Sequence, residues 1–141
     1  MHEILFQGKD AENGQWIYGY YIGGSNHIDT HEICDINDVL MCMVEVDPET
    51  VGQFTGLPDK NGKKIFEGDI GRYKQVDGAK RNGKPITCIG KVVYNVKTAS
   101  FAIESKDETG CKYYDYFPIK DFEVIGNIHD NPELLELPKG E

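Results

Sequence analysis

The first 58 residues are almost without basic charge. They hold ten acidic side chains and a single base, Lys9, for a net charge of −9. The 141-residue chain also lacks any apolar run near the ~20 residues that span a bilayer, any sustained helical periodicity, and any internal repeat or low-complexity tract. Its opening, MHEILFQGKD, has no basic n-region and no long apolar stretch, so no signal peptide is expected. The four cysteines, Cys34, Cys42, Cys88 and Cys111, include no C-x-x-C pair, which excludes a zinc ribbon or a thioredoxin-type site. Free thiols in a reducing cytoplasm, buried as small apolar residues, are the expectation.

What is present is ordinary globular composition with segregated charge. An apolar fraction of 39% and a charged fraction of 28% rule out global disorder. Residues 60–97 carry ten bases against Glu67, Asp69 and Asp77, net +7, and residues 98–141 return to net −6. The basic middle either pairs with the acidic segments, inside the fold or across an oligomer, or faces a polyanion. Pairing is the preferred reading, and duplex DNA is then expected to bind only weakly.

Glycine and proline punctuate the chain about every ten residues, and Val, Ile, Tyr and Phe cluster between them, as strands require. Strands are predicted at QWIYGYYIGG, at VGQFTGL and over KKIFEGDIGRY, the last bent at Gly68, while VLMCMVEVD fits strand or helix, with its Val residues and the Pro48 stop favouring strand. DIGRYK, ITCIGKVVYN, SFAIES, CKYYDYF and FEVIGN then follow as five short strands, and Pro132 onward gives one or two helical turns. The expected fold is mainly β, with an acidic N-terminal β subdomain over 1–58. It packs against an SH3-like barrel with a short C-terminal helical turn over 59–141.

The stretch from Thr50 to Asp69 invites chemical readings. A phosphate loop is rejected, because Gly56 and Gly62 enclose five residues and Lys63 is followed by Lys64 rather than Ser or Thr. An EF-hand fails on the positions of its Gly and Glu. Asp59-Lys60-Asn61-Gly62 reads as a tight hairpin turn in which Asn-Gly accepts positive φ. Glu67 and Asp69 could form an acid pair, but capping of backbone amides at the bend is preferred. His27, Asp29 and His31, with Cys34, could share a face as a metal set, yet the segment 27–34 reads as a solvated loop and no metal is expected. Tyr73, Tyr94, Tyr113, Tyr114 and Tyr116 could line a groove, with core and rim packing the commoner role.

The segments MHEILFQGKD, WIYGY, VDPETVGQFTGLPDKNGKKIFEGDI and FEVIGNIHDNPELL resemble the YopX family of phage and prophage proteins. Gln7 stands where members often have Arg, and residues 24–40 and 75–85 match no family pattern. The resemblance implies a mostly β protein with an SH3-like C-terminal part, and it carries no activity or catalytic residue with it. Its signature residues Gly52, Gly56, Asn61, Gly62, Gly68 and Asp69 read as turn and bulge formers. The expected function is therefore that of a non-enzymatic phage or prophage accessory protein without cofactor. It would be a cytoplasmic interaction module that binds a host or phage protein and is capable of homo-oligomerisation. The alternative is a nucleic-acid-binding accessory protein. It would use Lys60, Lys63, Lys64, Arg72 and Lys74, then Lys80, Arg81 and Lys84, with Tyr73 and Tyr94 beside them.

Overall fold

The computed structural model describes residues 3–25, 28–76, 85–106 and 109–136. It is mainly β, with two short 3₁₀ segments, Pro48–Thr50 and Pro132–Glu136, among the described residues. The chain divides into two compact units, Met1–Gly56 and Leu57–Glu141, and the division falls inside one strand.

The first unit contains β1 (Phe6–Lys9), β2 (Trp16–Ser25), β3 (Ile28–Asp35), β4 (Met43–Glu45) and the start of β5 (Gly52–Pro58). With β6 (Lys64–Phe66) these strands follow the order β4-β3-β2-β1-β5-β6 in one antiparallel sheet. Alternation sends Ile33 to the inner face, where it is fully buried; Val46 and Leu5 are buried as well. Gly8 fits the same face because a Cβ there would lie 3.1 Å from Ile33 and 3.2 Å from Val46. Thr50 ties the unit together: its hydroxyl accepts the Lys9 amide at 2.8 Å and donates to the Asp47 carbonyl at 2.6 Å.

In the second unit β7 (Asp69–Val76), β8 (Pro85–Asn95), β9 (Ser100–Lys106), β10 (Lys112–Tyr116) and β11 (Glu123–Asn127) form a five-stranded antiparallel sheet in the order β10-β9-β8-β7-β11. The core of this unit gathers Ile65, Tyr73, Cys88, Val92, Ile103 and Phe122.

Four expectations are corrected. The five C-terminal strands do not close into a barrel, because β10 and β11 are the two ends of their sheet. Residues 28–35 are strand β3 rather than loop, since the apolar Ile33 is drawn into the core despite its polar neighbours. In VLMCMVEVD only Met43–Glu45 is strand. The segment before it turns because the Asp35 and Asp38 carboxylates accept the Asn37 and Leu40 amides at 2.8 and 2.9 Å. KKIFEGDIGRY is two strands of different sheets, β6 and β7, parted by a turn at Glu67-Gly68 rather than one bulged strand.

Candidate interaction surfaces

The Asp59–Lys63 turn is built around a carboxylate that the sequence reading passed over. Asp59 is buried, and its Oδ1 accepts the Asn61 and Lys63 amides at 2.8 and 2.9 Å while its Oδ2 accepts the Val124 amide at 3.0 Å. The Gly62 amide donates to the Asp59 carbonyl at 3.0 Å, and the Asp59 amide to the Lys63 carbonyl at 2.7 Å. Only Gly62 takes positive φ, +84°, and Asn61 does not. The loop therefore has three residues closed by a left-handed glycine, rather than the two-residue Asn-Gly turn expected. Burial pushes the Asp59 carboxyl upward, but the three amides outweigh it and hold the group below the usual carboxylate range. At the second turn Gly68 has φ +95°, and Asp69 accepts the Phe66 amide at 2.8 Å, so this acid caps backbone.

The basic residues picked out by sequence do not form one set. Lys60, Lys63, Lys64, Arg72 and Lys74 are exposed. Arg72 Nη2 lies 2.6 Å from Glu123 Oε1, with Lys60 Nζ at 4.0 Å from the other oxygen. Tyr73, placed beside them by sequence, is only 3% exposed. Neighbours on a strand point to opposite faces, so Arg72 and Lys74 are outward and Tyr73 is in the core. Tyr94 is 43% exposed and meets Phe101 edge to face at 5.2 Å. Lys80, Arg81 and Lys84 lie outside the described residues.

The core face of this sheet carries a polar chain. The Tyr73 hydroxyl donates to Asp115 Oδ2 at 2.5 Å, and Gln75 Nε2 donates to Asp115 Oδ1 at 3.0 Å. The Tyr113 hydroxyl lies 3.7 Å from Cys88 Sγ, and Cys88 lies 3.7 Å from Gln75 Oε1. Burial pushes both phenols upward, reinforced by Asp115 at Tyr73 and by Cys88 at Tyr113. Every member has a partner, which reads as a satisfied network rather than a reactive one. None of the four cysteines is in a disulfide, but only Cys88 is buried; Cys42 and Cys111 are exposed, against the expectation of buried thiols.

His27 and the Asp29 side chain lie outside what is described. His31 stacks on Tyr21 with ring centroids 5.8 Å apart, and its Nδ1 hydrogen-bonds the Tyr21 hydroxyl.

The first unit presents a surface that sequence reasoning missed. Cross-strand register places Tyr20, Cys34 and Met43 in one row and Ile22, Glu32 and Glu45 in the next, on the outer face. Tyr20 is 53% and Ile22 55% exposed, and in the turn before β4 Val39 and Leu40 are 97% and 81% exposed. The signal available in the sequence was VLM between acidic residues, but the same run also fits a buried strand.

Among the described residues no helix is long and apolar enough to cross a membrane. No curated protein matches the chain. Among solved structures, the crystal structure of protein EF1440 from Enterococcus faecalis is similar at 22% identity, with 96% of this chain and 99% of that chain covered and a TM-score of 0.44. The family model described as YopX protein matches residues 5–136, nearly the whole chain, and the chain belongs to the YopX family.

Proposed function

We propose that this protein is a non-enzymatic accessory protein of phage or prophage origin that acts in the cytoplasm by binding another protein. The observation that carries this reading is the exposed apolar surface of the first unit. Tyr20, Ile22, Val39, Leu40 and Met43 are each at least 43% exposed. Solvent-exposed apolar side chains that are neighbours, rimmed by charge, mark interaction sites. Acidic residues stand beside this surface: Glu32 and Glu45 lie in the row next to Tyr20, Cys34 and Met43, Asp38 is in the turn with Val39 and Leu40, and the unit's one base is Lys9. In the second unit β7 pairs with β8, β8 with β9 and β9 with β10, and β11 returns beside β7; this order is the ground for an SH3-like reading of it.

The test is affinity capture from host lysate with the intact protein and with a Val39→Ser, Leu40→Ser, Met43→Ser variant. A protein retained by the former at stoichiometric yield and lost by the latter, with melting temperature unchanged, supports the surface. Recovery of the same proteins by both removes it.

A further inference from the structure

We propose that the outer face of the five-stranded sheet is a platform for single-stranded nucleic acid. The observation behind it is a convergence that the register creates and that no sequence segment contains. Lys91, Glu104 and Tyr114 lie opposite one another across β8, β9 and β10, and Val93, Ala102 and Tyr116 form the next row. Strand alternation adds Lys106 and Lys112 to this face, and pairing with β8 adds Arg72 and Lys74 from β7. The cations therefore come from 72 to 112, beyond the segment that looked basic in the sequence.

Two features match a single strand rather than a duplex. Tyr114 and Tyr116 are 40% and 45% exposed, two residues apart on one strand, so their rings stand about 7 Å from each other. Their hydroxyls are held down on the sheet. Tyr114 donates to Glu104 Oε2 at 3.3 Å, and Tyr116 accepts from Asn95 Nδ2 at 3.1 Å. Tethered tyrosines with partly open rings are stacking sites for unpaired bases, which a duplex does not offer.

The cations cluster near the tyrosines, at the β8–β10 side of the face. Glu104 lies 3.7 Å from both Lys91 Nζ and Lys112 Nζ, one carboxylate against two ammoniums. Glu123 offsets Arg72 and lies near Lys60 as well. Asp121 reaches this side through the Lys74 amide, which it accepts at 2.9 Å. Among the described residues Lys91, Lys106 and Lys112 stand beside Tyr114 and Tyr116 with Glu104 between them, three cations to one carboxylate, while Glu133 and Glu136 belong to the 3₁₀ segment whose Leu134 lies against Gly126 at the β11 edge. The opposite face cannot serve, because Tyr73, Cys88, Val92 and Ile103 fill the core there.

The experiment is a fluorescence-anisotropy titration of the full chain with labelled oligo-dT, oligo-rU and duplex DNA of about 16 nucleotides, at low and at physiological salt. Single strands are expected to bind at least tenfold more tightly than duplex. The tighter of the two oligomers tells whether DNA or RNA is the ligand. Tyr114→Ala and Tyr116→Ala should each weaken binding about tenfold, in line with roughly 1–3 kcal/mol per stacked base, while Tyr116→Phe should bind as the parent does. Lys91→Ala with Lys112→Ala should flatten the salt dependence. Circular dichroism of each variant checks that it folds. Equal affinity for strand and duplex, or folded Tyr→Ala variants that bind unchanged, would overturn the proposal. None of these substitutions touches the first unit, so the result is independent of the protein-binding surface proposed there.

Discussion

At the scale of single residues, two neighbours in one turn have opposite sensitivities. Gly62 holds φ +84° with nothing within 4 Å of where a Cβ would be, so a side chain there costs backbone strain rather than a clash. For a β-branched residue that strain is about 2 kcal/mol. Gly62→Val should lower the melting temperature clearly, whereas Lys63→Ala, at an exposed side chain, should leave it nearly unchanged; equal melting temperatures would remove the turn assignment. Asp59 supplies a pH dependence. Its folded pKa lies below the usual 3.8, so the unfolded chain takes up the proton first as pH falls. The stability it contributes is complete above about pH 5 and is lost as pH falls through the folded value. Asp59→Asn should therefore destabilise the protein at neutral pH by about 2 kcal/mol, since an amide cannot accept all three bonds. The gap between the two proteins in denaturant titrations should narrow toward pH 3.

At the scale of elements, the second sheet depends on one place where backbone and ring meet. A Cβ on Gly71 would sit 1.9 Å from Cζ of Phe122, which is fully buried. Gly71→Ala must displace that ring and should cost about 1–3 kcal/mol in chemical denaturation. A midpoint equal to the parent's would show the ring to be less confined than it is drawn. Most strands were legible because β-branched and aromatic runs between glycines carry their own signal: β2, β5 and the five strands from β7 to β11 stand near their predicted positions. The elements that were missed had no such signal. FQGK in β1 and IDTHEICD in β3 are polar by composition, and their strands exist because Gly8 and Ile33 close a core with Val46. Within one strand the face was legible, since alternation in DIGRYK alone separates Tyr73 from Arg72 and Lys74, but which residues of different strands share a face was not. Tyr73 was grouped with Arg72 and Lys74, and the outward set with Tyr114 and Tyr116 appears only once register links four strands.

At the scale of the whole molecule, strands dominate and helix is confined to two 3₁₀ segments among the described residues. Far-ultraviolet circular dichroism should show a β spectrum; a strong helical double minimum would contradict it. The net charge of −9 opposes long-range approach of a polyanion. Duplex DNA should accordingly bind no more tightly than the non-specific range of roughly 10⁻⁴ to 10⁻⁶ M at physiological salt. Asp59 has one more consequence, which concerns the order of events during synthesis. Its carboxylate joins a turn at the start of the second unit to the Val124 amide 65 residues later. The strands of the first unit have all emerged by Pro58, whereas the second cannot be completed until its last strand leaves the ribosome. A chain released at Lys120 would lack Phe122 and one of the three amide partners of Asp59 together. It should carry a protease-resistant N-terminal portion followed by a digestible remainder, so premature termination late in translation yields a half-folded product rather than a slightly weakened one.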